Sequence, residues 1–134
     1  MQKKILIVED EESLLKLESI LLTTKGFHVQ GVTTGVAALK AVAENPPDLV
    51  LLDIMLPEMD GFEVCRQIKN SPQTSHIPVI LLTAKKSPED MARGKQVGAD
   101  QYITKPFKSH EISLVVERVY WRLVSAGKVQ SGSP

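Results

Sequence analysis

One cysteine, Cys65, stands in the whole chain, too few for an internal disulfide or a thiolate metal site. Net charge is missing as well. Sixteen Lys and Arg offset sixteen Asp and Glu, and the isoelectric point is near 6.8. With no positive field to neutralise phosphates, an autonomous nucleic-acid-binding domain is not expected. No apolar run approaches the ~20 residues that cross a bilayer; the longest lie at residues 5–8, 49–52 and 79–82. The basic start Met1-Gln2-Lys3-Lys4 leads into an apolar stretch that breaks at Glu9-Asp10, which is not the pattern of a signal peptide. Internal repeats and low-complexity stretches are absent, and no Gly-rich phosphate loop follows the first apolar run.

What is present, 43% apolar and 24% charged residues over a length of 134, is the composition of one soluble domain, expected in the cytoplasm. Residues 5–8 form a continuous apolar run, as in a strand buried on both faces. Leu14, Leu17 and Leu21 recur at spacings of three and four, the stripe of an amphipathic helix ending near Gly26. Residues 27–32 read as a second strand, Thr33 or Thr34 as the cap of a helix over 36–43, and Pro46-Pro47 as its stop. Then come a strand at 49–52, a helix at 62–69 and a strand at 79–82. Ser87-Pro88-Glu89 opens a helix that closes at Gly98. A short strand at 102–103 and a helix from about 109 to 123 complete the series. Strands joined through helices predict an α/β fold with a parallel sheet. The last residues, 125–134, have linker composition and suit either a free-standing domain or one cut from a longer protein.

Polar residues gather where the strands end: Glu9-Asp10, Asp53, Thr83-Ala84 and Lys105-Pro106. Ligands of open parallel sheets bind beyond the carboxyl ends of the strands, near the point where strand order reverses. Were these strands side by side, three carboxylates, a hydroxyl and an ammonium would converge there. Clustered carboxylates favour a hard divalent cation with oxygen ligands, of which Mg²⁺ is the natural choice. A carboxylate beside such a metal can attack phosphorus and become an aspartyl phosphate. The metal and the ammonium would offset charge on the transferring oxygens.

The ordered set of Glu9-Asp10, Asp53-Ile54-Met55-Leu56-Pro57-Glu58-Met59-Asp60-Gly61, Thr83-Ala84 and the stretch from Gly98 to Phe107 resembles the receiver domains of two-component response regulators. The resemblance runs from Lys3 to about Leu123. It implies a (βα)5 flavodoxin-like three-layer sandwich with sheet order 2-1-3-4-5, a receiver domain over residues 1–124 and a linker or tail over 125–134. It also implies that Asp53 accepts a phosphoryl group from a histidine kinase or phosphotransfer protein. Asp10, Asp53 and the main-chain carbonyl of Met55 would ligate Mg²⁺, with Glu9 helping directly or through water. Lys105 would contact the phosphoryl oxygens. Thr83 would move toward the phosphate and Tyr102 would follow inward, altering the face made by the fourth helix, fifth strand and fifth helix. Ala84 is small and leaves the approach to Asp53 open. Such a domain modifies its own Asp, slowly loses the phosphate and turns over no external substrate, so it is not an enzyme in the metabolic sense.

Some positions depart from the family pattern. Glu9 stands where many members have Asp, and Lys108 where an acid or a cap is common, leaving Ser109 as the alternative cap. Met55 and Lys85 flank the site. An apolar Met55 side chain cannot hydrogen-bond an attacking water, so the phosphorylated state is not expected to be unusually short-lived. A cis bond before Pro106 is a further family expectation.

Each residue has a plainer role as well. Asp53 could cap the turn after its strand, Glu9-Asp10 could favour the start of the first helix, and Thr83 could bond its own backbone. Lys105 could be an exposed charge. Cys65 packs as a small apolar residue, and His28, His76 and His110, lacking ligand spacing, belong on the surface. On the last helix Ile112, Val115, Val116, Val119 and Leu123 form the core stripe. Leu114 and Trp121, with Arg118 between them, lie opposite and suit a partner face for an output domain, another protein or a second copy. Three other readings compete. An unphosphorylated scaffold of the same fold is opposed by the intact Asp10, Asp53, Thr83 and Lys105. An Asp-nucleophile phosphatase needs a second acid two residues after the nucleophile, where Met55 stands. Glu9-Asp10 would repel the phosphates of a nucleotide or flavin.

Overall fold

A computed structural model describes residues 3–105 and 109–125. The expectations attached to Pro106 and Lys108, to the side chains of Ser109 and Leu123, and to residues 126–134 fall outside them. Three strands, β1 (Lys4–Val8), β3 (Leu49–Asp53) and β4 (Val79–Thr83), are apolar along nearly their whole length. Successive side chains point to opposite faces, so Ile5, Ile7, Leu49, Leu51, Ile80 and Leu82 enter one layer of core. Leu6, Val8, Val50, Leu52, Val79 and Leu81 enter the other. Helices α1 (Glu12–Thr24) and α5 (Ser109–Ser125) cover the first layer, inserting Leu22, Ile112, Val116 and Val119. Helices α2 (Gly35–Glu44) and α3 (Gly61–Asn70) cover the second with Ala38, Val42, Phe62, Cys65 and Ile68. On that second side α4 (Pro88–Gln96) brings Gly94 close to Leu81 and to the ring of Tyr102. Strands β2 (His28–Val32) and β5 (Gln101–Thr104) form the two edges.

All neighbouring strands are parallel, in the order β2-β1-β3-β4-β5, as the resemblance implies. Chain ends of the helices are closed locally. Thr34, rather than Thr33, caps α2 by accepting from the Ala37 N–H, and Ser87 caps α4 by accepting from the Asp90 N–H. Asp60 caps α3 in the same way through the Glu63 N–H. Gly26 and Gly98 turn the chain after α1 and α4 with φ of +95° and +90°, a conformation open to glycine at little cost. Asp100 accepts from the Val79 N–H and pairs with Lys69 at 2.8 Å, fixing the start of β4 against that of β5. Cys65 is buried and directs its thiol at the Val97 carbonyl; burial pushes its pKa up to about 12, as suits a packing residue. The three histidines are exposed. No described helix is long and apolar enough to cross a membrane.

The first helix corrects the expected stripe. Leu17 is 45% exposed and Leu14 and Leu21 are only half-buried. The inner face is instead Leu15, Glu18 and Leu22. Both sets obey the three-and-four rule, and the true one carries a carboxylate at its centre. On α5 the expected stripe holds: Ile112, Val116 and Val119 are buried and Val115 half-buried, while Ser113 and Tyr120 join them.

Between β3 and α3 the Ile54 carbonyl accepts from both the Leu56 and Gly61 N–H groups, closing a tight loop. Glu58 in this loop is the one described non-glycine residue with positive φ, at 68°. The left-handed region costs an L-residue roughly 1–2 kcal/mol, which a glycine avoids. Glu58→Gly is therefore expected to raise the free energy of unfolding by about 1 kcal/mol, read from the urea midpoint. A variant no more stable than the parent would contradict this reading of the loop.

Candidate functional site

Register builds the site. Val8 lies opposite Leu52, so Glu9 and Asp53 emerge side by side from β1 and β3. Asp53 lies opposite Leu82, one step before Thr83, and Thr83 lies opposite Thr104, one step before Lys105. The strand ends thus form a staircase at the crevice where β2 and β3 leave β1 in opposite directions. Sequence periodicity ended the third and fourth strands one residue early: Asp53 and Thr83 are their last residues, held by the sheet itself.

Each of three strand-end side chains also accepts from the backbone two residues further on. Glu9 Oε2 accepts from the Glu11 N–H at 3.3 Å, Asp53 Oδ1 from the Met55 N–H at 3.1 Å, and Thr83 Oγ1 from the Lys85 N–H at 3.2 Å. The plain backbone roles and the convergence of these groups are therefore realised together. Lys105 Nζ bridges the acids, 3.2 Å from Glu9 Oε1 and 3.1 Å from Asp53 Oδ2. It is thus a partly buried bridging cation. Glu9, Asp10 and Asp53 each offer an oxygen within 4.8 Å of the others. An all-oxygen cluster of this size fits a divalent cation such as Mg²⁺. Asp10 is exposed and the other two are buried.

Charge and burial act together on these groups. Burial, then the negative charge of Asp53, push the Glu9 carboxyl up from 4.5 to about 7. For Lys105, burial works against the ammonium, but Asp53 and Glu9 outweigh it and its pKa is raised. Ala84 is exposed beside Thr83, and Met55 is exposed beside Asp53. The Tyr102 hydroxyl donates to the Lys85 carbonyl at 2.8 Å. The backbone of Lys85 therefore holds Thr83 by its N–H and Tyr102 by its carbonyl. Gly61 lies so close to β3 that a Cβ there would meet the Asp53 carbonyl oxygen and the Ile54 Cα. Leu114 and Trp121 are 46% and 58% exposed, Arg118 is exposed, and Trp121 packs edge-on against Tyr120. The structure leaves this trio well away from the core, as its helical spacing implies.

One residue was absent from the sequence reading. Glu18 is fully buried, and neither of its oxygens has a hydrogen-bond partner. Burial, then the charge of Glu9, raise its pKa from 4.5 to about 8. Its signal was the glutamate interrupting an otherwise apolar Leu15–Leu22 stripe. Because the folded state holds this proton more tightly than the unfolded chain, the stabilisation is complete below pH 4.5 and is lost as pH rises through about 8. Glu9 contributes with the same sign up to about 7. Glu18→Leu is expected to flatten the fall in stability between about pH 5 and pH 8, and to stabilise at the upper end by about 1–4 kcal/mol. Urea unfolding at both pH values checks this, and an equal fall in both proteins would refute it.

Comparison with known proteins agrees with this geometry. The response regulator receiver domain family matches residues 5–117. The chain is 45% identical over 123 residues to the DNA-binding response regulator MtrA of Mycobacterium tuberculosis, covering 92% of this chain and 51% of that protein. A CheY-like response regulator receiver domain protein of Methanospirillum hungatei is similar with a TM-score of 0.89 and 26% identity, over 95% of this chain and 100% of that one. The BeF3-activated DrrB receiver domain is similar with a TM-score of 0.81 and 36% identity, over 91% and 100%. The chain spans about half the length of the curated relatives it matches first. The profile match, the relatives, the strand order and the strand-end residues agree: the chain belongs to the response regulator receiver domain family of two-component systems.

Proposed function

We propose that this chain is a phosphorylation-switched signalling receiver acting in the cytoplasm, with Asp53 accepting a phosphoryl group from a histidine kinase or phosphotransfer protein. The observation that carries the reading is the convergence at Asp53: a buried carboxylate, two further carboxylates within 4.8 Å and an ammonium at 3.1 Å. An Asp53 oxygen would attack phosphorus, and the bond from phosphorus to the donor's nitrogen would break with its electron pair staying on the donor. Glu9, Asp10, Asp53 and the Met55 carbonyl would hold Mg²⁺, which supplies positive charge to the phosphoryl oxygens when bound. Lys105 already rests on Asp53 and Glu9. It needs only to exchange one carboxylate oxygen for a phosphoryl oxygen.

Thr83 would leave the Lys85 N–H to bond the phosphoryl group. Tyr102 shares Lys85 as its anchor, so the change passes to β5 through one residue. Since β5 is an edge strand with α4 and α5 on either side, the α4-β5-α5 face would carry the signal to an output domain, a partner protein or a second copy. Leu114, Arg118 and Trp121 extend that face. The name of the relative MtrA favours a DNA-binding output for any longer protein of which this chain is the receiver. The receiver itself would turn over no external substrate.

Incubation with acetyl phosphate and MgCl2 tests the reading. Intact-mass measurement is expected to show one added phosphoryl group, absent from Asp53→Asn, with a change in Trp121 fluorescence that the variant also lacks. Equal labelling of the variant, or sustained phosphate release from a panel of phosphate esters, would overturn it.

A further inference from the structure

Among the described residues, the two Glu18 oxygens are the buried side-chain polar atoms left without a partner. A buried polar group without a partner is costly, and such costs concentrate where function uses them. Long helical side chains lean toward the amino end of their helix. Helix α1 starts at Glu12, just past Glu9 and Asp10, so the amino end toward which such a side chain leans adjoins the acidic pocket. The charged groups that act on it are those of the pocket and its rim: Glu9, Lys105, Asp53 and Glu11.

Among the described residues, the buried side chains of α5 and β2, which pack against α1, carry no charge. From α5 the buried residues are Ile112, Ser113, Val116 and Val119, with Tyr120 further along. On β2 the titratable residue is His28, exposed and opposite Lys4 at the far end of the sheet. Within α1, Leu15 and Leu22 flank Glu18. Burial disfavours its charge most, three carboxylates add to that and one ammonium opposes it, so a carboxyl with no hydrogen bonds is held in its protonated form there. A divalent cation held by Glu9, Asp10 and Asp53 would cancel much of that negative field.

We propose that Glu18 is a fourth, proton-bearing carboxyl of the acidic pocket, which releases its proton to water when a divalent cation binds and thereby makes cation affinity depend on pH. The inference rests on the reading of the pocket as a cation site. The step is balanced: the Glu18 O–H bond breaks, the electron pair stays on the carboxylate, and one proton leaves for each ion that enters. Affinity rises with pH, by at most about tenfold per pH unit for one linked proton.

Titration calorimetry with MgCl2 on the full chain, in two buffers of different ionisation enthalpy, counts the protons released. Glu18→Gln keeps the shape of the neutral acid, and Glu18→Leu provides a second variant if the amide fails to fold. Wild type is expected to release more protons per Mg²⁺ than either variant. Its Mg²⁺ affinity should also climb about three- to tenfold more than theirs between about pH 6.5 and pH 8.5. Equal proton release with parallel pH dependence would overturn the role of Glu18 and leave the cation site standing. Failure of all three proteins to bind Mg²⁺ would overturn both.

Discussion

Like charges crowded at one end of a sheet repel each other, and the rest of the site follows from how that repulsion is contained. The register of β1 against β3 holds the backbones of Glu9 and Asp53 side by side. Two unit charges 4 Å apart at an effective dielectric near 20 differ in energy by about 4 kcal/mol from charges far apart. Lys105 answers that cost with one ammonium shared at 3.2 and 3.1 Å. A proton on Glu9, whose pKa rises to about 7, answers part of the remainder. One cation and one proton do not neutralise three carboxylates and leave a demand for positive charge at a place with oxygen donors.

Rigid and costly parts of the molecule are separated along the strands. Their middles are apolar on both faces and carry the stability, since each fully buried aliphatic side chain contributes about 1.5–3 kcal/mol. Their carboxyl ends hold the clustered acids and, in the loop after β3, the left-handed Glu58, which cost stability, as does the buried Glu18 of α1. Gly61 lets the start of α3 press against the Asp53 peptide, so Asp53 is fixed from its backbone side. On the other flank, Thr83 and Tyr102 are both tied to Lys85.

Periodicity made the strand cores legible because burial on both faces leaves no other composition for them. Ser87 announced α4 by the proline behind it, and Gly26 and Gly98 announced the turns. Strand order came with the family resemblance, since no local pattern in an α/β chain says which strands are neighbours. Helix α1 misled because it carries two leucine stripes, and the buried one contains Glu18; a charged residue in a core position looks like evidence for the other face. Asp60 sat inside a motif read for chemistry, which hid its service as the cap of α3. Glu58 gave no signal, because nothing in a glutamate announces a positive φ. The bridge from Lys105 to both acids was legible as a convergence of strand ends, but its sharing between Glu9 and Asp53 depended on side-chain geometry.

Under the proposed function, the strand-end acids form an electrostatically unsatisfied pocket that would take a divalent cation. Thermal unfolding followed against MgCl2 concentration, with NaCl at matched ionic strength as the control, tests it most directly. A ligand that binds only the folded state stabilises by RT ln(1 + [L]/Kd). The melting temperature is predicted to rise with MgCl2 beyond the NaCl control, and to lose that rise in Asp10→Ala. A melting temperature that follows ionic strength alone, identical in the two salts, would contradict the account.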